Sequence, residues 1–155
     1  MTKVIAGDRI GRTATIRTGC SAVIFDESRE RILLTRRADN GQWCLPSGGM
    51  DAGESVTETC EREVREETGL EVRVVRFIGV YSSPHRIVQY ADGNRFQIVA
   101  FSFEAEVTGG QLTLSNETTE FGYFTPAEIE TLDLMELHHE RIADALAQQE
   151  QPFVR

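Results

Sequence analysis

The segment from Ser55 to Gly69 carries the clearest secondary-structure signals in the chain, and it fixes one helix of the fold. Ser55 and Glu58 match a capping box, in which the hydroxyl and the carboxylate satisfy backbone amides of the first helical turn. An apolar stripe follows at helical spacing, formed by Val56, Cys60 and Val64. Gly69 is the type of residue at which helices end. The segment therefore predicts an amphipathic helix with one face against a core.

Three glutamates share another face of this predicted helix. Glu63, Glu66 and Glu67 stand at positions i, i+3 and i+4, where like charges repel and destabilise an isolated helix. A glycine-rich loop, residues 47–53, precedes the helix and would let backbone carbonyls approach the same place. Carboxylate and carbonyl oxygens are the ligands that Mg²⁺ and Mn²⁺ prefer. The pattern indicates either a divalent-metal site or a solvated acidic face, which is the commoner use of such a helix.

The rest of the chain alternates predicted strands with turns. Strands are predicted at 19–25, 31–35, 72–81, 86–90, 96–107 and 121–124, with residues 43–50 as a short extended piece. Turns at 26–28 and 92–94 predict two hairpins. Pro126 favours the start of a helical turn, and a terminal amphipathic helix is indicated by Met135, His139, Ile142 and Leu146. Hairpins combined with two substantial helices predict an α/β (α+β) fold with a mixed β-sheet, in one domain over residues 1–155.

Charge is unevenly distributed along the chain. The formal net charge is −9, from 16 basic and 25 acidic residues. Residues 48–70 hold 7 acidic and 2 basic side chains, a net of −5, and residues 113–155 hold 9 and 2, a net of −7. This balance argues against a nucleic-acid polymer or an anionic membrane as partner. Two divalent cations would add +4 to residues 48–70, so a small anionic substrate is compatible with the acidic charge once metal is bound.

The cysteine count and the lack of long apolar runs bear on the cellular compartment. Cys20, Cys44 and Cys60 are an odd number of cysteines in a chain of 155 residues, which is long enough to bury a core without disulfides. No apolar run approaches the roughly 18 residues of a membrane span, and residues 1–13 lack the apolar core of a signal peptide. Free core thiols, no membrane partner and a cytoplasmic location are therefore expected.

The spacing of residues between 48 and 70 resembles the Nudix box, G-x5-E-x7-R-E-U-x-E-E-x-G-U, in which U is aliphatic. Gly48, Glu54 and then residues 62–70 occupy every fixed position. The resemblance extends more loosely over residues 19–124, and Trp43-Cys44-Leu45-Pro46 is similar to the usual lead-in of the family. Ser47 departs from the glycine that members usually have there, although a main-chain carbonyl remains available. The resemblance implies a MutT-like hydrolase with a Nudix-type α/β/α sandwich.

The resemblance also implies a role for each matching residue of the box. The metal ligands would be Glu63, Glu66 and Glu67, helped by the main-chain carbonyl of Ser47. Arg62 would orient a box glutamate, with Glu54 as its partner, and both would support catalysis together with the metal-bound Glu66 and Glu67. Gly48 and Gly69 would shape the turns on either side of the helix. Without such ordering groups the metal ligands would be held loosely.

Catalysis would need a further carboxylate that accepts a proton from the attacking water. The Nudix family often places this glutamate in a loop a few residues before an aromatic strand. Glu117 fits that position, and Glu120 is the nearby competitor. Either residue could instead be an ordinary solvated acid of the loop, so the two alternatives stay open at this point.

The activity implied is Mg²⁺-dependent hydrolysis, with Mn²⁺ as the alternative metal, of a nucleoside diphosphate linked to another moiety. ADP-ribose or a nucleotide sugar is the first substrate to consider. A second hypothesis is a pyrophosphatase that removes noncanonical nucleoside triphosphates. A non-catalytic nucleotide sensor is a third, which the intact set of box carboxylates disfavours. Family members are often dimers, and a homodimer is left open here.

The residues that would hold the nucleotide are less clearly marked. Pro84 lies near the place where ADP-ribose pyrophosphatases of the family carry a proline, although an ordinary turn proline fits equally well. A base or sugar pocket could use Tyr81, His85, Arg86 and Tyr90, which could also be strand and hairpin residues. Arg36 and Arg37 end a predicted strand and could contact phosphate through their guanidinium groups. A solvated pair is the alternative for these two arginines.

Overall fold

Ten strands and three helices make up the regular structure in a computed structural model that describes all residues from Met1 to Arg155. The strands are β1 (Lys3–Ala6), β2 (Thr15–Val23), β3 (Ile32–Arg37), β4 (Trp43–Cys44), β5 (Ser47–Gly49), β6 (Leu70–Tyr81), β7 (Arg86–Gln89), β8 (Arg95–Gly110), β9 (Thr118–Phe124) and β10 (Phe153–Val154). The helices are α1 (Val56–Thr68), α2 (Pro126–Ile129) and α3 (Glu136–Ala147), with a 3₁₀ turn at Ile10–Thr13.

The strands form two sheets. The larger sheet has the order β1-β7-β8-β2-β5, with β6 also paired to β8 and β10 paired to β6. In it β2 runs parallel to β8, whereas β6 and β7 run antiparallel to β8. The smaller sheet has the order β4-β3-β9, and all its pairs are antiparallel. The predicted mixed sheet and the hairpin around residues 92–94, now β7 and β8, are confirmed.

Side chains along β2 and β3 alternate between two cores, because successive residues of a strand point to opposite faces. One core packs against α1 and contains Ala22, Ile24, Leu33, Cys60 and Val64. The other packs against α3 and contains Val23, Ile32, Leu34, Ile142 and Ala145. Helices therefore cover both sides of the strand layers, as the predicted α/β/α sandwich requires.

Helix α1 begins and ends where the sequence signals predict. Glu58 N donates to Ser55 Oγ at 3.3 Å, and Ser55 N donates to the Glu58 carboxylate at 2.7 Å, which completes the capping box. Gly69 follows with φ of 76°, a left-handed conformation that favours glycine. Cys60 and Val64 are buried, so the predicted apolar stripe faces the core.

The first predicted hairpin is wrong in its pairing. The chain does turn at Asp26, whose carboxylate accepts hydrogen bonds from the backbone N–H groups of Glu30 and Arg31. Next to the turn, Asp26 N donates to Arg31 O and Leu33 N donates to Ile24 O, both at 2.9 Å, around the bridge between Phe25 and Ile32. Beyond this point β3 joins the smaller sheet. The extended piece 43–50 likewise divides into β4 and β5, which lie in different sheets. An alternating apolar pattern looks the same whichever sheet its strand joins.

The terminal helix is present, but its buried face differs from the predicted stripe. The inward side chains are His138, Arg141, Ile142, Asp144 and Ala145, whereas His139 and Leu146 are exposed. The polar members find distant partners that the sequence pattern does not reveal. Leu45 N donates to His138 Nδ1 at 3.0 Å, and Asp144 accepts from the Tyr81 hydroxyl at 2.9 Å.

Three short elements were not predicted: β1, the 3₁₀ turn and β10. Each is too short to give a periodic signal. Strands β1 and β10 pair with β7 and β6, which are distant in sequence, and the 3₁₀ turn is bonded through Gly11 N to the carbonyl of Pro84. Cys20, Cys44 and Cys60 are all buried with free thiols, as expected for small core residues. None of the helices has the length and apolar character needed to cross a membrane.

Candidate active site

The loop before α1, the first part of β2, the turn before β9 and helix α3 surround one cavity of about 340 Å³. The loop and α1 contribute Ser47, Gly48, Gly49, Glu63, Glu66 and Glu67. Strand β5 pairs with β2, so Gly48 lies opposite Cys20 and the loop is fixed to the sheet edge. The predicted metal ligands and the loop that precedes them are therefore brought to one place.

Glu67 is the most buried carboxylate of this group, with 7% of the residue exposed. Its Oε2 accepts a hydrogen bond from Ser47 N at 3.1 Å. Burial raises the pKa of Glu67 to about 8, and burial also raises the pKa of Glu63. A carboxylate that is desolvated with one backbone donor is costly to ionise, and a bound cation would offset that cost.

Arg62 ties the loop to the helix. Its guanidinium donates to both oxygens of Glu54, at 2.5 and 3.0 Å, and to the carbonyl of Gly49 at 2.9 Å. This ion pair lowers the pKa of Glu54 to about 2. Nη1 of Arg62 also donates to Glu63 at 2.8 Å and to Glu66 at 3.1 Å. The contact between Arg62 and Glu54 that the resemblance implies is present.

The donor set suits a hard divalent cation, although the side chains do not form a ready cluster. No three His, Cys, Asp or Glu side chains converge at metal-binding spacing. Arg62 instead neutralises Glu63 and Glu66, which share its Nη1. Buried carboxylate oxygens beside a glycine loop are the ligands expected for Mg²⁺ or Mn²⁺. A metal ion would compete with this guanidinium for the two glutamates.

The two candidates for the general base lie in different surroundings. Glu117 lines the cavity, and its charge contributes to the raised pKa of both Glu63 and Glu67. Glu120 lies on β9, where its carboxylate accepts from Arg36 Nη1 at 2.7 Å. The structure therefore brings Glu117, but not Glu120, to the carboxylates predicted to bind metal.

The two arginines predicted to bind phosphate also lie in different places. Arg37 lines the cavity, but its guanidinium makes a bidentate pair with Asp39 at 2.8 and 2.9 Å. Arg36 donates to the carbonyl of Gly41 and to Glu120, outside the cavity. Both guanidinium groups thus have acceptors within the protein.

Three other predicted substrate residues lie outside the larger cavity. Tyr81 and Arg86 line a smaller neighbouring cavity of about 40 Å³, where Arg86 forms an ion pair with Glu136 at 3.3 Å. Pro84 lines neither cavity, and its carbonyl accepts from Gly11 N at 3.0 Å. The predicted set is therefore not assembled around the carboxylates.

Several residues that line the larger cavity were not selected from the sequence. Arg17 lies over the rings of Tyr90 and Phe96, with its Cζ at 5.9 and 5.2 Å from their centroids. Further lining residues are Thr18, Val88, Ile98, Met135, Leu137, His138 and Arg141. Tyr90, which the sequence did suggest for a base or sugar pocket, lines this cavity. The α3 residues carry no such signal, because their position depends on how the last helix packs.

Comparison with known proteins identifies the fold family. A NUDIX domain model matches residues 15–146, which include β2, α1 and most of α3. The chain belongs to the NUDIX family. This finding confirms the family that the box between residues 48 and 70 resembles.

Individual NUDIX relatives agree with this assignment. An ADP-ribose pyrophosphatase of Methanocaldococcus jannaschii is 34% identical over 119 residues, which cover 75% of this chain and 65% of that protein. The nucleoside triphosphatase NudI of Enterobacter sp. (strain 638) is 35% identical over 100 residues, covering 62% of this chain and 70% of that protein. The chain thus spans about two thirds of the length of these relatives.

A solved structure supports the NUDIX fold. The crystal structure of an ADP-ribose pyrophosphatase from Streptococcus suis 89-1591 superposes with a TM-score of 0.67 and 25% identity, covering 91% of this chain and 98% of that one. The similarity confirms the predicted Nudix-type α/β/α sandwich. Together with the family match, it also confirms the predicted enzyme class, a hydrolase acting on phosphoric anhydride bonds.

Replacement of Gly48 by alanine is expected to weaken Mg²⁺ binding to this NUDIX chain. A Cβ at this position would overlap the carboxyl group of Glu63, so the side chain would have to move. Displacing a metal ligand or its support costs about 10- to 100-fold in metal affinity. The affinity is measured by calorimetric titration of Mg²⁺ into the purified protein.

Gly7→Ala serves as the matched control for Gly48→Ala. A Cβ at Gly7 would have no neighbour nearer than 3.5 Å, so Mg²⁺ affinity should not change. A folded Gly48→Ala protein with the Mg²⁺ affinity of the wild type would contradict the placement of the metal beside Glu63.

Proposed function

We propose that this chain is a Mg²⁺-dependent pyrophosphohydrolase that cleaves a nucleoside diphosphate linked to another moiety, with ADP-ribose or a nucleotide sugar as the first substrate class. The observation that carries this proposal is the gathering of acidic side chains from two separate elements around one cavity. These side chains are Glu63, Glu66 and Glu67 of α1 and Glu117 of the turn before β9.

The proposed division of labour follows from the contacts. Glu63, Glu66 and Glu67, with the main-chain carbonyl of Ser47, would hold Mg²⁺ or Mn²⁺. When bound, such a metal stabilises charge on phosphoryl oxygens and lowers the pKa of a coordinated water. Glu117 would accept the proton of the attacking water, because it is exposed within the same cavity. Arg62 and Glu54 would hold the loop in a fixed position relative to the helix.

The walls of the cavity are suited to the remainder of a nucleotide. A volume of about 340 Å³ lies within the range of roughly 300–1,000 Å³ for small-molecule sites. Tyr90, Ile98 and Leu137 offer aromatic and apolar surface, and Arg17 offers a cation on the β2 side. Such a wall would take a base or a sugar while the pyrophosphate lies at the carboxylates.

A second candidate is hydrolysis of noncanonical nucleoside triphosphates. The similarity to a relative named nucleoside triphosphatase favours it, since the two relatives described above are nearly equal in identity. A non-catalytic nucleotide sensor is the third candidate. The retention of Glu63, Glu66 and Glu67 in one cavity argues against it.

The experiment that tests the proposal is a substrate panel assayed with Mg²⁺ and with Mn²⁺. The panel contains ADP-ribose, nucleotide sugars and both ordinary and oxidised nucleoside triphosphates. Release of AMP and a sugar phosphate from ADP-ribose would support the first candidate. Pyrophosphate and a nucleoside monophosphate from a triphosphate would support the second. Binding without turnover at either metal would overturn both and leave the sensor.

We also propose the partner and the compartment of the reaction. The small nucleotide is the expected partner, whereas the net charge of −9 disfavours a long polyanion. The cytoplasm is the expected compartment, because the three buried cysteines carry free thiols. Whether the chain forms a homodimer is a question for analytical ultracentrifugation.

A further inference from the structure

Arg141 is a buried cation with no hydrogen-bond acceptor and no ion-pair partner in the protein. Only 5% of the residue is exposed, and its Nε is buried with no hydrogen-bond acceptor. The guanidinium lies over the ring of Tyr81, with Cζ 5.6 Å from the ring centroid. Burial lowers the pKa of Arg141 to about 10, which still leaves the guanidinium charged at neutral pH. An unpaired buried charge is strongly destabilising, so its presence needs a reason.

The other arginines around the cavity are either paired or exposed. Arg17 also lines the cavity, but it is exposed to solvent. Arg62 is saturated by Glu54, Glu63 and Glu66. Arg37 makes its bidentate pair with Asp39. Among the half-buried and buried arginines that contact the site, Arg141 therefore keeps donors that no protein acceptor uses.

The side chain of Arg141 lines the same cavity as the metal-ligand carboxylates. It lies on α3, three residues after His138, so the two share one face of the helix. Nδ1 of His138 accepts from Leu45 N, and burial together with the nearby Arg141 charge holds the pKa of His138 well below its usual range. The neutral ring then carries its proton on Nε2. The α3 wall thus offers N–H donors, whereas the α1 wall offers carboxylate acceptors.

We infer that Arg141, assisted by His138, binds a phosphate oxygen of the substrate at the α3 wall of the cavity. The inference rests on the proposed function for the identity of the substrate, and it adds a second anion contact apart from the metal. A guanidinium matches phosphate geometry through paired N–H donors. A substrate phosphate would supply the negative charge for Arg141, since no carboxylate of the protein pairs with it. Arg141 is accordingly a binding and specificity residue, with no part in proton transfer.

The test uses Arg141→Met, which keeps much of the side-chain volume, and Arg141→Lys, which keeps the charge. Thermal unfolding is recorded in EDTA, with and without excess inorganic phosphate as the probe. The wild type should be stabilised by phosphate, Arg141→Met should not, and Arg141→Lys should keep part of the effect. Without phosphate, Arg141→Met should melt no lower than the wild type, because an unpaired buried charge has been removed.

Arg73→Met is the matched control, because Arg73 makes an exposed pair with Glu106 and does not line the cavity. Its phosphate response should equal that of the wild type. An unchanged phosphate response in Arg141→Met would overturn the inference. So would a wild type that phosphate does not stabilise, or a lower melting temperature of Arg141→Met without ligand, because the latter indicates a structural role.

A kinetic measurement separates this inference from the proposed function. With the best substrate of the panel and Mg²⁺, Arg141→Met should raise KM at least tenfold and change kcat much less. An unchanged KM would overturn the inference while leaving the proposed function intact. If no substrate is turned over, the proposed function fails, and the phosphate response in EDTA still decides the role of Arg141.

Discussion

Replacing Glu67 by glutamine is expected to lower metal-dependent turnover by roughly 10³-fold while the chain stays folded, because a metal supplies several kcal/mol of transition-state stabilisation. Glu67 is the most buried of the three proposed ligands. Its carboxylate connects α1 to the preceding loop, because it accepts a hydrogen bond from Ser47 N. The amide retains the shape and an oxygen that accepts this bond, but it loses the charge that would hold the cation. Turnover is measured with the substrate that the panel identifies.

Thermal unfolding of the same variant gives a second result that does not depend on activity. Mg²⁺ should raise the melting temperature of the wild type and leave that of Glu67→Gln unchanged. In EDTA the variant should melt at least as high as the wild type, because a neutral amide is less costly to bury than a carboxylate. Glu71→Gln, an exposed change of equal charge on β6, is the control. Near-normal turnover in folded Glu67→Gln would contradict the proposed metal site.

Replacing Glu117 by glutamine is expected to lower kcat by about 10²- to 10⁴-fold, the usual contribution of a general base. The carboxylates proposed to bind the metal are untouched by this change, so Mg²⁺ should still raise the melting temperature. Glu120→Gln should leave kcat unchanged, because that carboxylate pairs with Arg36 outside the cavity. The two variants together form an internally matched pair three residues apart in one segment.

The other possible results for these two variants also have definite interpretations. Loss of kcat in Glu120→Gln with normal kcat in Glu117→Gln would show that the segment before β9 rearranges when substrate binds. Loss in both would assign a shared role to the segment. Normal kcat in both would remove this segment from the mechanism and return the search for a base to the box glutamates.

The parts of the fold that could be predicted from sequence are those set by neighbouring residues. The capping box at Ser55, the stop at Gly69 and the turn at Gly93 are local, and each gave the correct element. The pairing of β2 was not local, since Thr15 lies opposite Phe96, 81 residues later in the chain. A hairpin between β2 and β3 was the natural expectation from the turn at Asp26, and only the packing of two sheets decides otherwise.

The distinction between local and long-range determinants also explains which residues of the site could be predicted from sequence. The α1 glutamates have a fixed mutual spacing, so sequence spacing alone places them together. The α3 residues of the cavity were missed because their burial depends on distant partners, such as Leu45 for His138. An apolar pattern also fails for a helix whose inward face carries Arg141 and Asp144, since polar burial has no periodic signature.

The alternation of β2 and β3 between two cores has a consequence for how this protein can be changed. Ala22 and Ile24 support α1, whereas Val23 supports α3, so the two helices rest on separate sets of side chains. Substitutions far apart and without shared partners usually have additive effects. A library that varies Met135 and Leu137 should therefore alter substrate preference while the chemistry of α1 is retained. The architecture therefore separates the α1 wall of the pocket, which carries the proposed metal ligands, from the α3 wall available for engineering new selectivity.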